Sequence, residues 1–144
     1  MSFEEKAFSE VKENVREAVT NYRGASKYRI QGVKLVIDDF YRSYRDHIWG
    51  RYMANVEARH HAFFKALTHF EYSYYDISQK YSFLLDYRLD EENGVYDKHV
   101  ISSEIISYIK IYKNGKIEIT FKNYTTVKKF LDKYFPGIPQ KAAA

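Results

Sequence analysis

The chain contains no cysteine, only two prolines and only six glycines in 144 residues. The absence of cysteine excludes disulfides, thiolate metal sites and cysteine nucleophiles, and it is typical of proteins of the reducing cytoplasm. So few prolines and glycines disfavour a loop-rich β-sandwich, and neither of the glycine-rich phosphate-binding motifs is present. No apolar run approaches the roughly 18 residues that a membrane-spanning helix needs. We therefore expect no membrane partner.

Aromatic side chains are abundant instead, with 15 tyrosines and 10 phenylalanines. The apolar fraction of 45% is enough for a hydrophobic core, and the length is that of one domain. We assign residues 1–141 to this domain and interpret the alanines at 142–144 as an added tail. Because the acidic start of the chain lacks the form of a signal peptide, we expect a cytoplasmic protein.

The formal net charge is +4 at pH 7, and the charges are unevenly distributed along the chain. An acidic segment at 70–104 separates two basic segments, at 27–69 and 105–144. Such asymmetry bears on partners rather than on fold. A polyanion such as nucleic acid is the natural partner of basic segments, because lysine and arginine release condensed counterions when they contact phosphates.

The first predicted element is a helix over residues 3–22. Ser2 and Glu5 have the spacing of a capping box, and the apolar residues that follow recur at helical intervals. Gly24 is well placed to end the helix, because glycine readily adopts the left-handed conformation found after helix C-termini.

The second predicted element is an unusually long helix over about residues 34–69. Apolar residues recur every three or four positions from Ile37 to Phe70, and no proline interrupts them. Gly50 lowers the helix propensity by about 1 kcal/mol relative to alanine, so a kink is expected there.

Beyond residue 70 the apolar period changes from that of helices to that of strands. Alternation over residues 81–89 predicts a strand that returns at 95–101, with a third helix as the alternative reading. A firmer hairpin joins 107–113 to 116–121 through Asn114-Gly115, a dipeptide typical of type I′ turns. A last helix follows, capped by Thr125 or Thr126 and stopped by Pro136. Helices followed by strands predict an α+β fold, with two N-terminal helices packed on a small antiparallel sheet and a short closing helix.

The long predicted helix carries a basic stripe opposite its apolar one. At about 100° per residue, the stripe occupies one narrow sector of the helix surface, and its members are His47, Arg51, Ala54, Ala58, His61, Lys65 and His69. The two alanines leave room for close approach to the backbone. A phosphate backbone is one partner for such a row, and an ordinary solvated helix face is the other reading.

A second basic group follows on the predicted hairpin and the last helix. We predict that it contacts nucleic acid through Lys113, Lys116, Lys122 and Lys129. Tyrosines beside these lysines can stack on unpaired bases; they are Tyr108, Tyr112 and Tyr124. Two alternatives remain open, because edge lysines also prevent aggregation of strands and tyrosines are common in protein interfaces.

Arg42 and His47 raise a catalytic alternative. Their Arg-x4-His spacing resembles the six-residue motif of HEPN-type ribonucleases. The resemblance implies that His47 moves a 2′-hydroxyl proton while Arg42 stabilises the charged phosphorane, at a dimer interface of an all-α fold.

Metal chemistry has little support in the sequence. Glu57 and His60 have the Glu-x-x-His spacing of a di-iron half-site, but a di-iron bundle needs a second copy and two further glutamates. No second copy occurs in the chain. We therefore predict neither a metal nor another cofactor.

The sequence as a whole favours a small, basic, non-enzymatic protein that binds nucleic acid, either DNA or RNA, as an accessory or regulatory factor. The first alternative is a small ribonuclease or nuclease that uses Arg42 and His47. The second is a protein-interaction module, such as an inhibitor or assembly factor, with a tyrosine-rich interface. A homodimer is compatible with each of these functions.

Overall fold

Helices and antiparallel strands occur together in the computed structural model, which describes residues 2–74, 76, 79–85 and 89–141. The α+β class is therefore confirmed. The helices are α1 Phe3–Val19, α2 Ala58–Tyr72 and α3 Tyr124–Tyr134. The strands are β1 Tyr28–Gln31, β2 Lys34–Ile37, β3 Arg42–Arg45, β4 Tyr52–Asn55, β5 Lys98–Val100, β6 Ile106–Ile111 and β7 Ile117–Phe121. The tail at 142–144 lies outside the described residues.

The first helix begins as the sequence predicts. The Ser2 hydroxyl accepts the Glu5 backbone N–H at 3.1 Å, and the Glu5 carboxylate accepts the Ser2 N–H at 3.3 Å, so both halves of the capping box form. The helix ends at Val19, three residues earlier than predicted, because Thr20 adopts an extended backbone. Gly24, with a φ of +78°, lies in the turn that follows rather than at the helix end.

The prediction of a long second helix is wrong over residues 34–57. Two hairpins occupy this region, β1–β2 and β3–β4, and only the stretch from Ala58 onward is helical. Gly32 and Gly50 have positive φ values of +61° and +68°, which suit the turns of these hairpins and not a helix interior. The apolar residues that recur at helical intervals lie on different strands and loops, so their spacing does not reflect one helix.

The main sheet has five antiparallel strands in the order β1-β2-β7-β6-β5, and β3–β4 form a separate two-stranded ribbon. The helices supply buried residues to the same core as one face of the main sheet. On that face lie Leu35 and Ile37 of β2, Ile109 and Ile111 of β6, and Ile117 and Ile119 of β7. The opposite face is called the open face below, because its side chains lie outside this core.

The β6–β7 hairpin is confirmed, but its register differs from the prediction by one residue. Ile111 pairs with Ile117, and the loop is the three-residue segment 113–115 instead of a two-residue turn. Within this loop only Gly115 has a positive φ, +90°, as in a type I turn closed by a glycine bulge. Relative to the predicted pairing, the one-residue shift moves the side chains of one strand to the other face of the sheet. The isoleucines of both strands therefore share the core face.

The region between residues 79 and 101 departs most from expectation. Residues Gln79–Leu84 form a 3-10 helix that buries Tyr81 and Leu84, where a strand over 81–89 was expected. Residues 86–88 of that predicted strand lie outside the described residues. Its expected partner at 95–101 is reduced to β5, which pairs with β6. At the end of the fold, α3 is capped by the Asn123 side chain, two residues before the predicted threonines.

Candidate nucleic-acid interface

The open face is built by strand pairing, because residues paired across antiparallel strands place their side chains on the same side of the sheet. Two rows cross it from β1 to β5. The first row is Arg29, Val36, Glu118, Lys110 and Lys98, and the second is Gln31, Lys34, Thr120, Tyr108 and Val100. Tyr112 and Lys116 extend the face beyond the ends of β6 and β7.

Lysine ammonium groups lie against both tyrosine rings of this face. The Lys98 Nζ lies 3.9 Å from the centroid of the Tyr108 ring, and the Lys34 Nζ lies 5.9 Å from it. The Tyr112 ring has Lys116 Nζ at 4.2 Å and Lys110 Nζ at 5.2 Å. These distances are those of cation–π contacts, so the lysine stems are held beside the rings.

Within the two rows and their extension there is one carboxylate, that of Glu118, and it lies near two of the four lysines. Its oxygens lie 3.9 Å from Lys34 Nζ and 3.7 Å from Lys116 Nζ, and the Tyr112 hydroxyl donates to it at 2.8 Å. Burial and the neighbouring Glu118 raise the pKa of Tyr112 to about 12, so its ring is neutral at physiological pH. On the open face, four lysines therefore share the surface with one carboxylate, that of Glu118, which is buried.

The two tyrosines differ in their surroundings. The neighbouring Thr120 side chain lowers the pKa of Tyr108 despite burial, and the neighbouring Lys34 adds to this effect. Tyr108 is half-buried, while Lys98 and Val100 beside it are exposed. The Tyr108 ring is therefore partly accessible at the β5 edge of the sheet, where the Lys98 ammonium lies over it, and a stacked base would have to displace this ammonium.

Of the four predicted lysines, only Lys116 lies on the open face. Lys113 is in the β6–β7 loop, where its ammonium lies 3.3 Å from a carboxylate oxygen of Glu91. Lys122 follows β7 and lines a hollow next to Glu71, and Lys129 is exposed on α3. The four predicted lysines thus lie in four different places and do not form one surface.

The predicted basic stripe is also dispersed, because no single helix carries it. His47 and Arg51 lie in the loop between β3 and β4, whereas His61 and Lys65 lie on α2 beside α1. Arg51 is paired with Asp90 and Glu92, at 3.7 and 3.0 Å. His69 is half-buried and hydrogen-bonded to the Tyr134 hydroxyl. The alanines of the stripe, Ala54 and Ala58, are on β4 and α2.

The catalytic pair of the ribonuclease reading lies on a β-hairpin instead of a helix. Arg42 begins β3 and lines a hollow with Lys27 and Arg59. His47 lies in the following loop and borders a different hollow, beside Arg45. The motif residues therefore border separate surfaces.

Histidines and carboxylates do not gather elsewhere into a metal site. In residues 2–74, 76, 79–85 and 89–141, no group of three or more such side chains could hold a metal ion. His60 of the predicted Glu-x-x-His half-site is buried, and its Nδ1 accepts the backbone N–H of Glu57 at 2.8 Å. No helix of the same residues is long and apolar enough to cross a bilayer.

Lys34 and Lys98 are the residues of this face that the sequence analysis missed. Lys34 precedes the core residue Leu35 on β2, whereas Lys98 and its half-buried neighbour His99 lie outside the core on β5, and each strand was assigned to another element or to a longer one. The alternation of apolar and polar residues over 28–31 is the local signal for β1, the partner of β2, but β2 itself has no such alternation.

Comparison with protein-family models, with curated protein sequences and with solved structures finds no match for the chain. The chemistry of its own surfaces alone carries the assignment of function.

Proposed function

We propose that the open face binds single-stranded nucleic acid without catalysing a reaction. The supporting observation is that Tyr108 and Tyr112 lie among four lysines on a sheet surface outside the core. Aromatic rings accept unpaired bases by stacking, which contributes about 1–3 kcal/mol per base, and lysines bind the phosphates of the same strand.

The width of the sheet favours a single strand over a duplex. Five strands at a spacing of about 4.8 Å span about 19 Å, whereas the major groove of DNA is only about 12 Å wide. The sheet therefore cannot enter the groove. In addition, duplex bases are stacked on one another, so their flat surfaces are inaccessible to Tyr108 and Tyr112. Only an unpaired strand can stack its bases on these rings while its phosphates contact the lysines.

We expect Tyr108→Ala to weaken binding of a single-stranded oligonucleotide by about 10- to 100-fold, the loss of one stacked base. Tyr108→Phe should retain most of the affinity, because the ring is kept. Tyr124→Ala is a matched control, since Tyr124 is exposed at the start of α3 and away from the open face. The measurement is fluorescence anisotropy of labelled single-stranded and duplex DNA and RNA. Equal affinities for duplex and single strand, or an unchanged Tyr108→Ala variant, would contradict the proposal.

The lysines of the open face can be tested through salt. Each phosphate contact on a single strand contributes a slope of about −0.7 to the dependence of log affinity on log salt concentration. Lys98→Gln removes an exposed ammonium and should make the slope shallower by about this amount. Lys129→Gln, on the exposed surface of α3, is the control with an unchanged slope. If both variants have the same slope as the unmodified protein, Lys98 does not contact phosphate.

We propose homodimerisation through the β3–β4 hairpin as a second function. Its tip exposes Ile48 and Trp49, which are 80% and 69% accessible. Beside the tip lies a hollow of about 640 Å³ bordered by Asp46, Asp90 and Glu92 and by Arg51, which pairs with Asp90 and Glu92. Arg45, Asp46 and His47 border the tip on another side. A two-fold contact can bury the exposed apolar tips of the two copies against each other.

Trp49 is the only tryptophan of the chain, so its emission reports directly on this tip. We expect the emission to shift to shorter wavelength as protein concentration rises, because dimerisation removes water from the ring. Ile48→Asp should keep the emission constant and should sediment as a monomer. Phe3→Asp is the control, since Phe3 is exposed on α1, away from the hairpin. A monomeric unmodified protein at all concentrations would refute this second proposal.

A further inference from the structure

A second basic site lies at one end of the main sheet, where several connections meet. A hollow of about 690 Å³ is bordered by the α1–β1 loop, the β2–β3 connection, the start of α2 and the β6–β7 loop. Its charged and amide side chains are Asn21, Lys27, Asp39, Arg42, Glu57, Arg59 and Asn114. This hollow is distinct from the open face, since none of these residues belongs to the two rows or their extension.

Lys27 is the most unusual member of the hollow. It is only 8% exposed, and its ammonium donates to the backbone carbonyl of Asp39 at 3.0 Å. In the part of the chain that the structure describes, no carboxylate forms an ion pair with it. An ammonium has three N–H donors, and buried charges in proteins are normally paired. Lys27 therefore has donors left for an anion in the hollow.

Arg59 adds a second cation from the first turn of α2. Its Nε lies 3.5 Å from a carboxylate oxygen of Glu57, and the same Nε is buried without a hydrogen bond. Burial lowers the pKa of Lys27, and the positive charge of Arg59 lowers it further, although Asp39 and Glu57 partly oppose these effects. The two neighbouring cations repel each other, and an anion between them would relieve that repulsion.

Arg42 supplies a third cation from β3, on the exposed side of the same hollow. Three cations thus border the hollow from three different elements, together with two carboxylates, Asp39 and Glu57, of which Glu57 lies 3.5 Å from Arg59, so the hollow keeps an excess of one positive charge. A phosphate monoester offers two negative charges and three strongly accepting oxygens, which matches three converging cationic donors.

We propose that this hollow binds a phosphate monoester dianion through Lys27, Arg42 and Arg59. The site is independent of nucleic-acid binding by the open face. Inorganic phosphate and a nucleoside 5′-monophosphate are the two probes, and they distinguish recognition of phosphate alone from recognition of its ester.

The test is the melting temperature of the full chain at constant ionic strength, with chloride as the reference anion. We expect at least one probe at saturation to raise the melting temperature by about 5 °C, because a ligand that binds only the folded state stabilises it. Arg42→Gln should abolish this rise, as should Arg59→Gln and Lys27→Met. Lys98→Gln, on the open face, is the control and should keep the rise while weakening oligonucleotide binding.

If Lys27→Met fails to fold, Arg42→Gln alone provides the test, because the exposed Arg42 side chain can be replaced without disturbing the core. The proposal is overturned if neither probe raises the melting temperature of the unmodified protein more than chloride does. It is equally overturned if Arg42→Gln and Arg59→Gln both retain the full rise. Loss of oligonucleotide binding in Lys98→Gln with retention of the phosphate effect would show that the two sites act separately.

Discussion

Replacing Gly115 by alanine should destabilise the protein by about 3–5 kcal/mol, the sum of three costs. Its φ of +90° disfavours any side chain. A Cβ at this position would lie 2.0 Å from the backbone oxygen of Tyr41, closer than any real contact. The carbonyl of Gly115 also accepts the Tyr41 N–H at 3.0 Å, so relief of the clash would weaken this hydrogen bond. Backbone strain, overpacking and a lost hydrogen bond thus coincide at one residue.

The measurement is the free energy of unfolding from urea denaturation, with Gly24→Ala as the matched control. Gly24 has a similar φ of +78°, but no heavy atom lies within 4 Å of the position of its Cβ. The free energy of unfolding of the control variant should therefore fall only by the cost of the backbone conformation, about 1–2 kcal/mol. Equal losses in the two variants would show that the β6–β7 loop does not pack against Tyr41 as described.

Two features show what local sequence signals can predict, the start of α1 and the β6–β7 loop. The capping box of Ser2 and Glu5 depends on residues three positions apart and is present as predicted. A turn is also present at Asn114-Gly115, but only Gly115 has a positive φ, so the predicted type I′ turn is wrong. The exact register of the β6–β7 hairpin was not predictable from the dipeptide alone, because Asn-Gly is compatible with loops of two and of three residues. The packing of Gly115 against Tyr41 favours the longer loop, and this contact joins residues far apart in the chain.

The error over residues 34–57 has a different origin. β2 is buried on both sides, since Leu35, Val36 and Ile37 are all inaccessible, so it lacks the alternation typical of a half-buried strand. An unbroken apolar run followed by apolar and aromatic residues every three or four positions resembles a helix in sequence. The long-range pairing of β2 with β7 decides the outcome, and no local pattern contains that pairing.

The candidate interface was predicted only in part for the same reason. Tyr108, Tyr112 and Lys116 come from one hairpin, and their association with bases was predicted from their proximity in sequence. Lys34 and Lys98 reach the Tyr108 ring because β2 and β5 pair with the two strands of that hairpin. Composition and charge therefore led to the proposal of a polyanionic partner, whereas the surface proposed to bind it depends on the order of strands in the sheet.

His60 provides the last prediction, a loss of stability at mildly acidic pH. Its Nδ1 accepts the Glu57 N–H at 2.8 Å, so the proton of the neutral ring is on Nε2, which donates to the Phe40 carbonyl at 2.5 Å. Protonation of Nδ1 would place two hydrogens against each other. Burial lowers the pKa of His60 to about 4, and the hydrogen bond to Phe40 only partly opposes this effect.

In the unfolded chain, where its pKa is about 6.5, His60 binds a proton below that pH. In the folded chain it binds the proton only when the pH falls to about 4, so protons favour the unfolded state between these values. Stability should fall as pH decreases from 6.5, by about 2 kcal/mol at pH 5 for His60 alone. The pKa of His69 is also lowered, by burial and by Lys133, and adds to the loss in the same direction. Keeping the pH at 5 or above limits the contribution of carboxylates to the pH dependence of stability, because their pKa values lie below this range.

Urea denaturation at pH 7.5 and pH 5 measures this dependence, and His60→Gln should reduce it because glutamine does not titrate. The variant will be less stable at both pH values, so the quantity compared is the difference between them. His61→Gln is the matched control, since His61 is the exposed neighbour on the same helix and should leave the difference unchanged. If His60→Gln retains the full pH dependence, the buried ring is not the group that excludes the proton, and its hydrogen bonds to Glu57 and Phe40 do not fix the neutral form.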